Sequence, residues 1–408
     1  MAAADTQDVD ATGKRKLFPI RRRTGTAAFH LSKAAVDFGN EDIERMTELE
    51  VVQYLARARW GSTKEMPCPH CSTVEKHYWH AGTMRWKCKG CGSRFSVTSG
   101  TVFADQKLSL KKILKIAFDW ANGASGKPAL QLRRNWNVAY HTAFTLAHKL
   151  REGLLRGHNV GVLCGVQEMD GMDVNGRRYK EKRNRPQGGG PAKTPTIPKE
   201  FLKAPEQAGP PDPPKRGKAE RQHPDRRILI VLRQRGKTKG KGASATRIGI
   251  AITESGAAVT ALATQYASAE SIIMSDEDTS YSGFKDIFSD HRSVAHSRTF
   301  SLPDGTNNNQ AESFNARMRR GVEGIYLCPS NKYLKDYGAE QAWREDVRRL
   351  STGEKLKHLF ATALSVGPSL WWVGYIHGHH RTEELLINGN RHAEPRGKKR
   401  GAPARLPR

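Results

Sequence analysis

The sequence predicts a multidomain α+β protein, and three observations along its 408 residues support this prediction. Two Cys-x-x-Cys pairs in the N-terminal quarter are typical of a small zinc ribbon. A block with helical periodicity follows over residues 105–155. Beyond it, short apolar runs typical of buried strands alternate with helical segments up to about residue 350. A chain of this length can form about two or three domains, each with its own core.

The chain is strongly basic: it has 68 lysines and arginines against 41 acidic residues, and its formal net charge is +27. A protein with this charge usually binds a polyanion, so nucleic acid is the expected partner and an anionic membrane surface is the alternative. No apolar run approaches the roughly 18 residues that span a bilayer, which argues against an integral membrane protein. The N-terminal segment also lacks the apolar core of a secretory signal.

The N-terminal part is predicted to be a basic arm followed by a helix and a metal-binding module. Residues 1–35 are rich in alanine, threonine and arginine, and we expect them to be mostly disordered. A helix is predicted at about 41–58, within a unit that spans 41–104. Its apolar face comprises Ile43, Met46, Leu49, Val52 and Leu55.

The cysteine pattern predicts a structural zinc site. Two thiolates that lie two residues apart in a tight turn can reach one ion, and two such turns close a tetrahedral site. The ligands are then Cys68, Cys71, Cys88 and Cys91. His70 is an alternative ligand, but four thiolates make it unnecessary. A redox role would use one pair in an α/β unit, so two pairs at ribbon spacing favour metal binding in a reducing compartment.

Residues 105–155 are predicted to form three helices, at 108–120, 125–136 and 137–152. A short helix, a turn and a longer helix are compatible with a helix-turn-helix that enters the DNA major groove. In this interpretation the last helix exposes His141, His148 and Lys149. Any small three-helix bundle gives the same pattern, so the interpretation depends on the basic charge and on the adjacent ribbon.

The next segment has the element order of a known fold. Apolar strands are predicted at 162–169, 227–233, 247–252, 272–276 and 293–296. Helical segments follow the third, fourth and fifth strands, and the last of them starts at Asn308 or Asn309. This order is that of a ribonuclease-H-like α/β catalytic domain, which we assign to residues 160–350.

A long insertion interrupts this domain at residues 176–224. It holds half of the chain's 20 prolines, a run of three glycines and many basic residues, so it cannot bury much apolar surface. We expect a flexible, disordered segment. Its basicity either helps to hold a phosphate backbone or belongs to a solvated linker. After the domain, helices are expected at 351–385 and a basic tail at 386–408.

Two strand-end aspartates and one helical glutamate are the candidate catalytic residues. Asp170 ends the first predicted strand and Asp276 ends the fourth, and these strands are neighbours in a ribonuclease-H-like sheet. Glu312 lies in the first turn of the helix after the fifth strand. Such carboxylates can hold two divalent ions about 3.5–4 Å apart, and hard oxygen ligands favour Mg²⁺ or Mn²⁺. Acidic surface residues occur at arbitrary spacings, so the prediction depends on the place of these three in the fold.

Motifs around these positions resemble a known family. The matching motifs are Phe95–Thr101, Glu168–Asp170, Ser275-Asp276 with Tyr281, Val294–Ser297, Asn309–Phe314, Arg319–Tyr326 and Lys332–Leu334. In this order, over roughly residues 45–350, they are similar to the bacterial ISXO2-like insertion-sequence transposases. These proteins join an N-terminal zinc ribbon to a DDE catalytic domain. No single motif is decisive, but the series is specific.

The resemblance implies roles for individual residues. It implies that Asp170, Asp276 and Glu312 bind the catalytic metal ions. It also implies that Arg319, where the family usually has lysine, binds a terminal DNA phosphate. Two helical turns separate Arg319 from Glu312, so both side chains lie on one face.

Two departures from the family pattern leave alternatives open. Some family members use asparagine in the third acidic role, so Asn309 stays beside Glu312 as a candidate. The family often has Asp-Glu-Thr-Tyr at the first aspartate, whereas Gly171-Met172-Asp173 follows it here. Asp173 is therefore a weaker candidate for the first ligand. The insertion at 176–224 is also unlike the compact members of the family.

The implied function is that of a DNA transposase, which binds terminal inverted repeats, hydrolyses a phosphodiester with two metal ions and transfers the strand. The implied cofactors are structural Zn²⁺ and catalytic Mg²⁺ or Mn²⁺. The implied partners are double-stranded DNA, as transposon ends and target, and further copies of the chain. The expected location is the nucleoid in a bacterial cytoplasm. Two alternatives share the fold: a catalytically inactive, transposase-derived DNA-binding regulator, and a nuclease or resolvase that does not transpose.

Overall fold

The structure is a computed structural model that describes residue 29 and residues 32–175, 225–237, 242–295, 301–389 and 391–392. The predicted insertion at 176–224 lies outside the described residues, as do nearly all of the predicted N-terminal arm and most of the predicted basic tail. In the described part of the chain, no helix is long and apolar enough to cross a membrane.

The helix predicted at 41–58 is two helices, α1 (Asn40–Arg45) and α2 (Glu48–Trp60). Met46 between them is extended, with φ −64° and ψ 134°. The Thr47 side chain accepts a hydrogen bond from the N–H of Glu50, and the Glu50 carboxylate accepts one from the N–H of Thr47. This reciprocal capping box starts a new helix. The prediction of one continuous apolar face was therefore wrong, and Leu49 is 41% exposed.

Five short strands form the ribbon: β1 (Met66–Pro67), β2 (Val74–Glu75), β3 (Tyr78–His80), β4 (Arg85–Lys87) and β5 (Arg94–Phe95). β1 pairs with β2, and β3, β4 and β5 form an antiparallel sheet with β4 in the centre. Trp86 on β4 stacks on Phe95 and meets the Trp60 ring of α2 edge-on, both at 5.7 Å between ring centroids. The ribbon and the end of α2 therefore share an aromatic core.

Three helices connect the ribbon to the central sheet, close to the predicted positions: α3 (Leu110–Ala121), α4 (Ala129–Trp136) and α5 (Tyr140–Gly157). Three residues join α4 to α5. The first of them, Asn137, adopts a left-handed conformation with φ 45°. A short helix, a tight turn and a longer helix are thus present as expected.

The central sheet has five strands: β6 (Val166–Val174), β7 (Arg227–Arg235), β8 (Ala243–Ala251), β9 (Ile272–Asp276) and β10 (Asp290–Val294). Their order in the sheet is β10-β9-β6-β7-β8. β6, β7 and β8 are antiparallel neighbours, while β9 and β10 run parallel to β6. The predicted ribonuclease-H-like arrangement is confirmed.

The first strand of this sheet starts later than predicted. The apolar run from Val162 predicts a strand over 162–169, whereas β6 covers Val166–Val174. Gly161 and Gly165 have φ values of 83° and 73°, a left-handed conformation that interrupts an extended chain. Asp170 therefore lies in the middle of a nine-residue strand, and its predicted place at the strand end was wrong.

Helices cover both faces of the sheet. On one face lie α6 (Gly256–Tyr266) and a 3₁₀ helix at Thr279–Asp286, packed on the apolar side chains of β7. On the other face lie α7 (Asn309–Arg320) and α8 (Leu334–Asp346). α9 (Thr352–Ser365) packs on α2, α3 and α5. A last short pair of strands joins β11 (Glu383–Glu384) to β12 (Arg391–His392).

The middle of α5 is buried, so the predicted exposure of His148 and Lys149 was wrong; of the three residues predicted to be exposed, His141 alone is so. The His148 imidazole is 0% exposed and stacks on the Trp372 ring, with centroids 4.2 Å apart. Burial, helped by two neighbouring arginine charges, lowers the pKa of His148 well below its usual value. α5 therefore belongs to the core of the molecule beyond its first turn.

A buried ion-pair network joins the N-terminal helices to the sheet. Arg151 of α5 donates to the Glu340 carboxylate of α8 at 2.7 Å, and both side chains are at most 2% exposed. Arg344, one turn further along α8, donates to the other oxygen of Glu340 at 2.7 Å. The same guanidinium donates to three carbonyls at the end of α3, those of Trp120, Ala121 and Gly123. The Glu340 carboxylate thus positions two arginines that link α3, α5 and α8.

We predict that Glu340→Ala lowers the free energy of unfolding by about 3–5 kcal/mol, because it leaves the buried Arg151 charge without its partner. Chemical denaturation measures this loss. The control is Glu41→Ala, which removes an ion pair to Arg45 on the surface of α1 and should change stability little. Equal effects of the two substitutions would contradict the structural role of Glu340.

We also predict that stability falls as the pH drops below about 6.5, in part because of His148. The folded state keeps this imidazole neutral, whereas the unfolded chain binds a proton there below that pH. Above pH 6.5 both states are neutral and the residue contributes no pH dependence. In His148→Phe, which keeps a ring for stacking, the slope below that pH should decrease by about 1.4 kcal/mol per pH unit. Denaturation curves of both proteins across this range provide the measurement, and identical slopes would refute a neutral His148.

Candidate active site and zinc centre

Two equivalent turns bring the four cysteines together. In the first, the N–H of Ser72 donates to the carbonyl of Cys68; in the second, the N–H of Gly92 donates to the carbonyl of Cys88. Ser72 and Gly92 both adopt left-handed conformations, with φ 60° and 72°. Each turn presents two sulfur atoms on the same side, as the spacing of the Cys-x-x-Cys pairs predicts.

The sulfur atoms have the separations of a tetrahedral zinc site. Cys68 Sγ lies 3.8 Å from Cys91 Sγ, and Cys71 Sγ lies 3.5 Å from Cys88 Sγ. All four sulfurs lie within 4.8 Å of one another. Zn–S bonds of about 2.3 Å in a tetrahedron separate sulfurs by about 3.8 Å. The residues therefore fit structural zinc, as predicted, and His70 contributes its backbone N–H to Cys68 Sγ.

The register of the sheet brings Asp170 and Asp276 to one level. β6 and β9 are paired in parallel over three residues each, and the last pair is Glu168 with Met274. Continuing this register by two residues sets Asp170 opposite Asp276, the last residue of β9. At this level the ladder between the two strands has ended, so other groups can approach the two carboxyl groups.

Glu168 positions the helix that carries Glu312. Its fully buried carboxylate accepts hydrogen bonds from the N–H groups of Gln310, at 2.6 Å, and Ala311, at 3.2 Å, in the first turn of α7. Its other oxygen accepts one from Arg235 Nε of β7 at 2.5 Å. A carboxylate at a helix N-terminus satisfies free amides and interacts favourably with the helix dipole. β6, β7 and α7 are thereby joined beside the candidate site.

Asn315 contacts Asp170 directly, and the sequence analysis missed it. Its Nδ2 donates to Asp170 Oδ2 at 2.8 Å, and the residue is 4% exposed. Its buried Oδ1 has no hydrogen-bond partner among the described residues. Asn315 follows Glu312 by three positions on α7, so the two side chains share a face. That spacing is the signal that could have identified it.

Several carboxyl groups influence one another here. The pKa of Asp170 is raised to about 7, mainly by burial and next by the negative charge of Asp276. The charges of Glu254 and Glu312 raise it further, whereas the hydrogen bond from Asn315 lowers it. Glu254, in the loop between β8 and α6, is a second residue that the sequence analysis missed. Such a poorly solvated accumulation of negative charge favours a bound cation.

The remaining candidates lie around this group. Asn309, the first residue of α7, is exposed, and its N–H donates to Asn307 Oδ1 at 3.3 Å. Arg319 is exposed in the last turn of α7. Asp173 lies three positions after Asp170, so its side chain points to the opposite face of β6, and it pairs with Arg226. The choice between Asn309 and Glu312 as the third ligand stays a prediction.

The chemistry of these groups fits divalent ions, although the described carboxylates do not form one compact cluster as the cysteines do. Among the residues that the structure describes, the four cysteines are the one group of three or more His, Cys, Asp or Glu with all ligand atoms within 4.8 Å. Asp170, Asp276 and Glu312 are thus not gathered around a single point. Two ions about 3.5–4 Å apart need a wider set of ligands. Oxygen donors and the unpartnered Asn315 Oδ1 suit Mg²⁺ or Mn²⁺.

Comparison with known proteins covers both parts of the chain. The sequence matches the family model of the transposase zinc-ribbon domain over residues 46–94, which include all four cysteines. It matches the family model of the ISXO2-like transposase domain over residues 201–346, which include Asp276 and Glu312 and begin after Asp170. No curated protein and no solved structure matches the chain. The chain therefore joins a segment that matches the transposase zinc-ribbon domain to a segment that matches the ISXO2-like transposase domain.

Proposed function

We propose that Asp170, Asp276 and Glu312 form the active site of this DNA transposase and hold two divalent metal ions during DNA cleavage and strand transfer. One observation carries the proposal: the sheet register sets Asp170 level with Asp276. The hydrogen bond from the start of α7 to Glu168 supports it, because this contact holds the helix of Glu312 against the same strand. The raised pKa of Asp170 supports a site that needs cations.

The proposed reaction has two steps on one site. Bound Mg²⁺ or Mn²⁺ supplies an activated water and stabilises the leaving oxygen when a phosphodiester is hydrolysed. Asp170, Asp276 and Glu312 hold the ions, and Asn315 orients the Asp170 carboxylate through its amide. Arg319 binds a phosphate of the DNA end through its guanidinium. The 3′-hydroxyl released in the first step then attacks a phosphodiester of the target DNA and displaces the 3′-oxygen of the target strand. One phosphodiester forms as another breaks, so no covalent protein–DNA bond is required.

The outer face of the ribbon is the first part of the proposed DNA interface. It comprises side chains that alternate with the buried core of β3–β5, and all of them are exposed: Tyr78, Arg85, Lys87, Lys89 and Arg94. We call this set the ribbon face. Lys87 lies opposite Tyr78 on one side and Arg94 on the other. Basic side chains around an aromatic ring attract a phosphate backbone and can contact bases.

The second part of the proposed interface is α4 with the first turn of α5. Arg133 and Arg134 on α4 and His141 on α5 are exposed. In a helix-turn-helix, the first residues of the second helix contact base edges, which is the part of α5 that stays accessible. We propose that this surface and the ribbon face recognise the terminal repeats. Because an insertion sequence has two ends, we also propose that copies of the chain act together on DNA.

We predict that Asp276→Asn abolishes metal-dependent cleavage of a labelled duplex carrying the DNA ends that flank the coding region. Removal of one metal-binding charge should reduce the rate by at least about a hundredfold and leave DNA binding nearly unchanged. Gel analysis of the cleaved strand with Mg²⁺ or Mn²⁺ measures the rate. The single variants Glu312→Gln and Asn309→Ala, assayed side by side, identify the third ligand as the residue whose substitution abolishes cleavage.

The matched control for this experiment is Asp290→Asn. It removes an aspartate from the neighbouring strand β10, but one that lies level with Ile272, at the other end of β9 from Asp276, and that pairs with Arg292. We expect it to cleave at nearly the wild-type rate. Wild-type cleavage by Asp276→Asn would refute the site assignment. Tight binding without cleavage by the wild-type protein would instead favour an inactive regulator.

The ribbon face generates a separate prediction. The double variant Lys87→Ala and Arg94→Ala should weaken DNA binding at every sequence and reduce the slope of log affinity against log salt by about 2, since each cation lost removes one phosphate contact. Binding isotherms at several salt concentrations measure the slope. Lys357→Ala, which removes an exposed lysine of α9, is the control and should leave the slope unchanged. An unchanged slope in the double variant would exclude the ribbon face from the interface.

A further inference from the structure

Glu254 lies at the candidate site although no sequence motif includes it. It lies in the loop between β8 and α6, and its carboxylate covers Gly171, the residue after Asp170. A Cβ atom at position 171 would lie 2.3 Å from both carboxylate oxygens of Glu254. No side chain fits in that space while Glu254 keeps its position. A glycine at 171 therefore allows Glu254 to approach the strand that carries Asp170.

Tyr281 holds this carboxylate in place. Its hydroxyl donates to Glu254 Oε1 at 2.5 Å, and its ring is fully buried in the core between the sheet and α6. Glu254 itself is partly buried, and within the described part of the chain it forms no ion pair with a basic side chain. A partly buried carboxylate without a neighbouring cation is unfavourable, so this arrangement favours a bound positive charge that the described residues do not supply.

Glu254 lies beside the backbone of the strand that carries Asp170. Its carboxylate oxygens would be only 2.3 Å from a Cβ atom at Gly171, the residue that follows Asp170. A cavity of about 480 Å³ opens at Glu254, between the start of α6 and the 3₁₀ helix, so ions can reach the carboxylate from solvent.

A second, independent observation points to a ligand at Asp170. Asn315 is 4% exposed, and its Oδ1 has no hydrogen-bond partner in the part of the chain that the structure describes, although its Nδ2 donates to Asp170. Buried polar atoms without partners are rare, and an amide oxygen is an ordinary ligand for a hard cation. Asp170 therefore has two neighbours that lack a suitable partner among the described residues. One is the amide oxygen of Asn315 from α7, and the other is the Glu254 carboxylate from the loop before α6, which has no basic partner there.

We propose that Glu254 is a fourth carboxylate of the catalytic centre and binds one of the two divalent ions together with Asp170. This inference rests on the function proposed above, because it assigns a further ligand to the same pair of ions. Tyr281 is then a positioning residue, which orients the carboxylate without contacting the ion. The ligand set draws on both faces of the sheet, with Glu312 from the side of α7 and Glu254 from the side of α6.

Calorimetric titration of the full-length, zinc-loaded protein with Mn²⁺ tests this proposal without DNA and without catalysis. We expect Glu254→Gln, which keeps the size of the side chain, to lose one Mn²⁺ ion or to bind it at least about tenfold more weakly than the wild type. Glu270→Gln is the matched control, because Glu270 is an exposed glutamate in the turn before β9, and it should bind Mn²⁺ as the wild type does. Unchanged Mn²⁺ binding by Glu254→Gln would overturn the proposal.

Gly171→Ala provides a second test that does not alter the carboxylate itself. The new methyl group should displace Glu254 and weaken Mn²⁺ binding about tenfold. In the Glu254→Gln background the same change should weaken it little further, because both substitutions remove one interaction. Tyr281→Phe should weaken Mn²⁺ binding as well, which covers the case in which Glu254→Gln fails to fold. A purely structural Glu254 would instead lower the melting temperature in these variants with no change in Mn²⁺ affinity, and this outcome would also overturn the proposal.

Asp276→Asn in the same titration separates this inference from the proposed function. Loss of Mn²⁺ binding in Asp276→Asn, with wild-type binding in Glu254→Gln, would show that Glu254 is not a ligand. The active site proposed from Asp170, Asp276 and Glu312 would still stand. Wild-type Mn²⁺ binding in both variants would refute both proposals. Loss in both variants, with the Glu270→Gln control unchanged, is the expected result.

Discussion

The buried carboxylate of Glu168 is the contact on which the candidate site depends. It accepts two N–H groups from the start of α7 and one from the guanidinium of Arg235. Arg235 also donates to the carbonyls of Gly305 and Asn307, in the segment that leads into α7. A fully buried carboxylate needs such donors, and here they come from two parts of the chain, the start of α7 and the end of β7. One side chain on β6 therefore orients the helix of Glu312 relative to the sheet.

The position of β6 explains how groups from opposite faces can meet. Successive side chains of a strand point to opposite faces, so Asp170 lies toward α7 and Gly171 toward α6. In a continuous sheet the backbone would separate the two sides. At this level, however, the ladder between β6 and β9 has ended. Because β9 pairs with β6 only as far as Glu168, an opening forms beside Asp170. Carboxylates from a strand, a helix and a loop can approach one another there.

Sequence patterns predicted those elements whose burial is evident from their own run of apolar residues. Every position of Ile228–Leu232 is apolar because helices cover both faces of β7, so this strand is evident from the sequence. The start of β6 was not, because Val162-Leu163 is equally apolar and only the left-handed glycines around it break the strand. The burial of His148 and the position of Glu254 were not predicted, for another reason. Their partners lie far away along the chain, and a periodicity measured over one helix or loop contains no information about them.

Arg151, Glu340 and Arg344 bond α5 and α3 to α8, which packs on β8, so the helices after the ribbon cannot move independently of the sheet. A DNA end bound on α4 and on the ribbon face would then lie at a constant distance from Asp276. The rigid protein would then determine the number of base pairs between the recognised repeat and the cleaved bond. Any variation in that spacing would have to be absorbed by bending of the DNA or by a second copy of the chain.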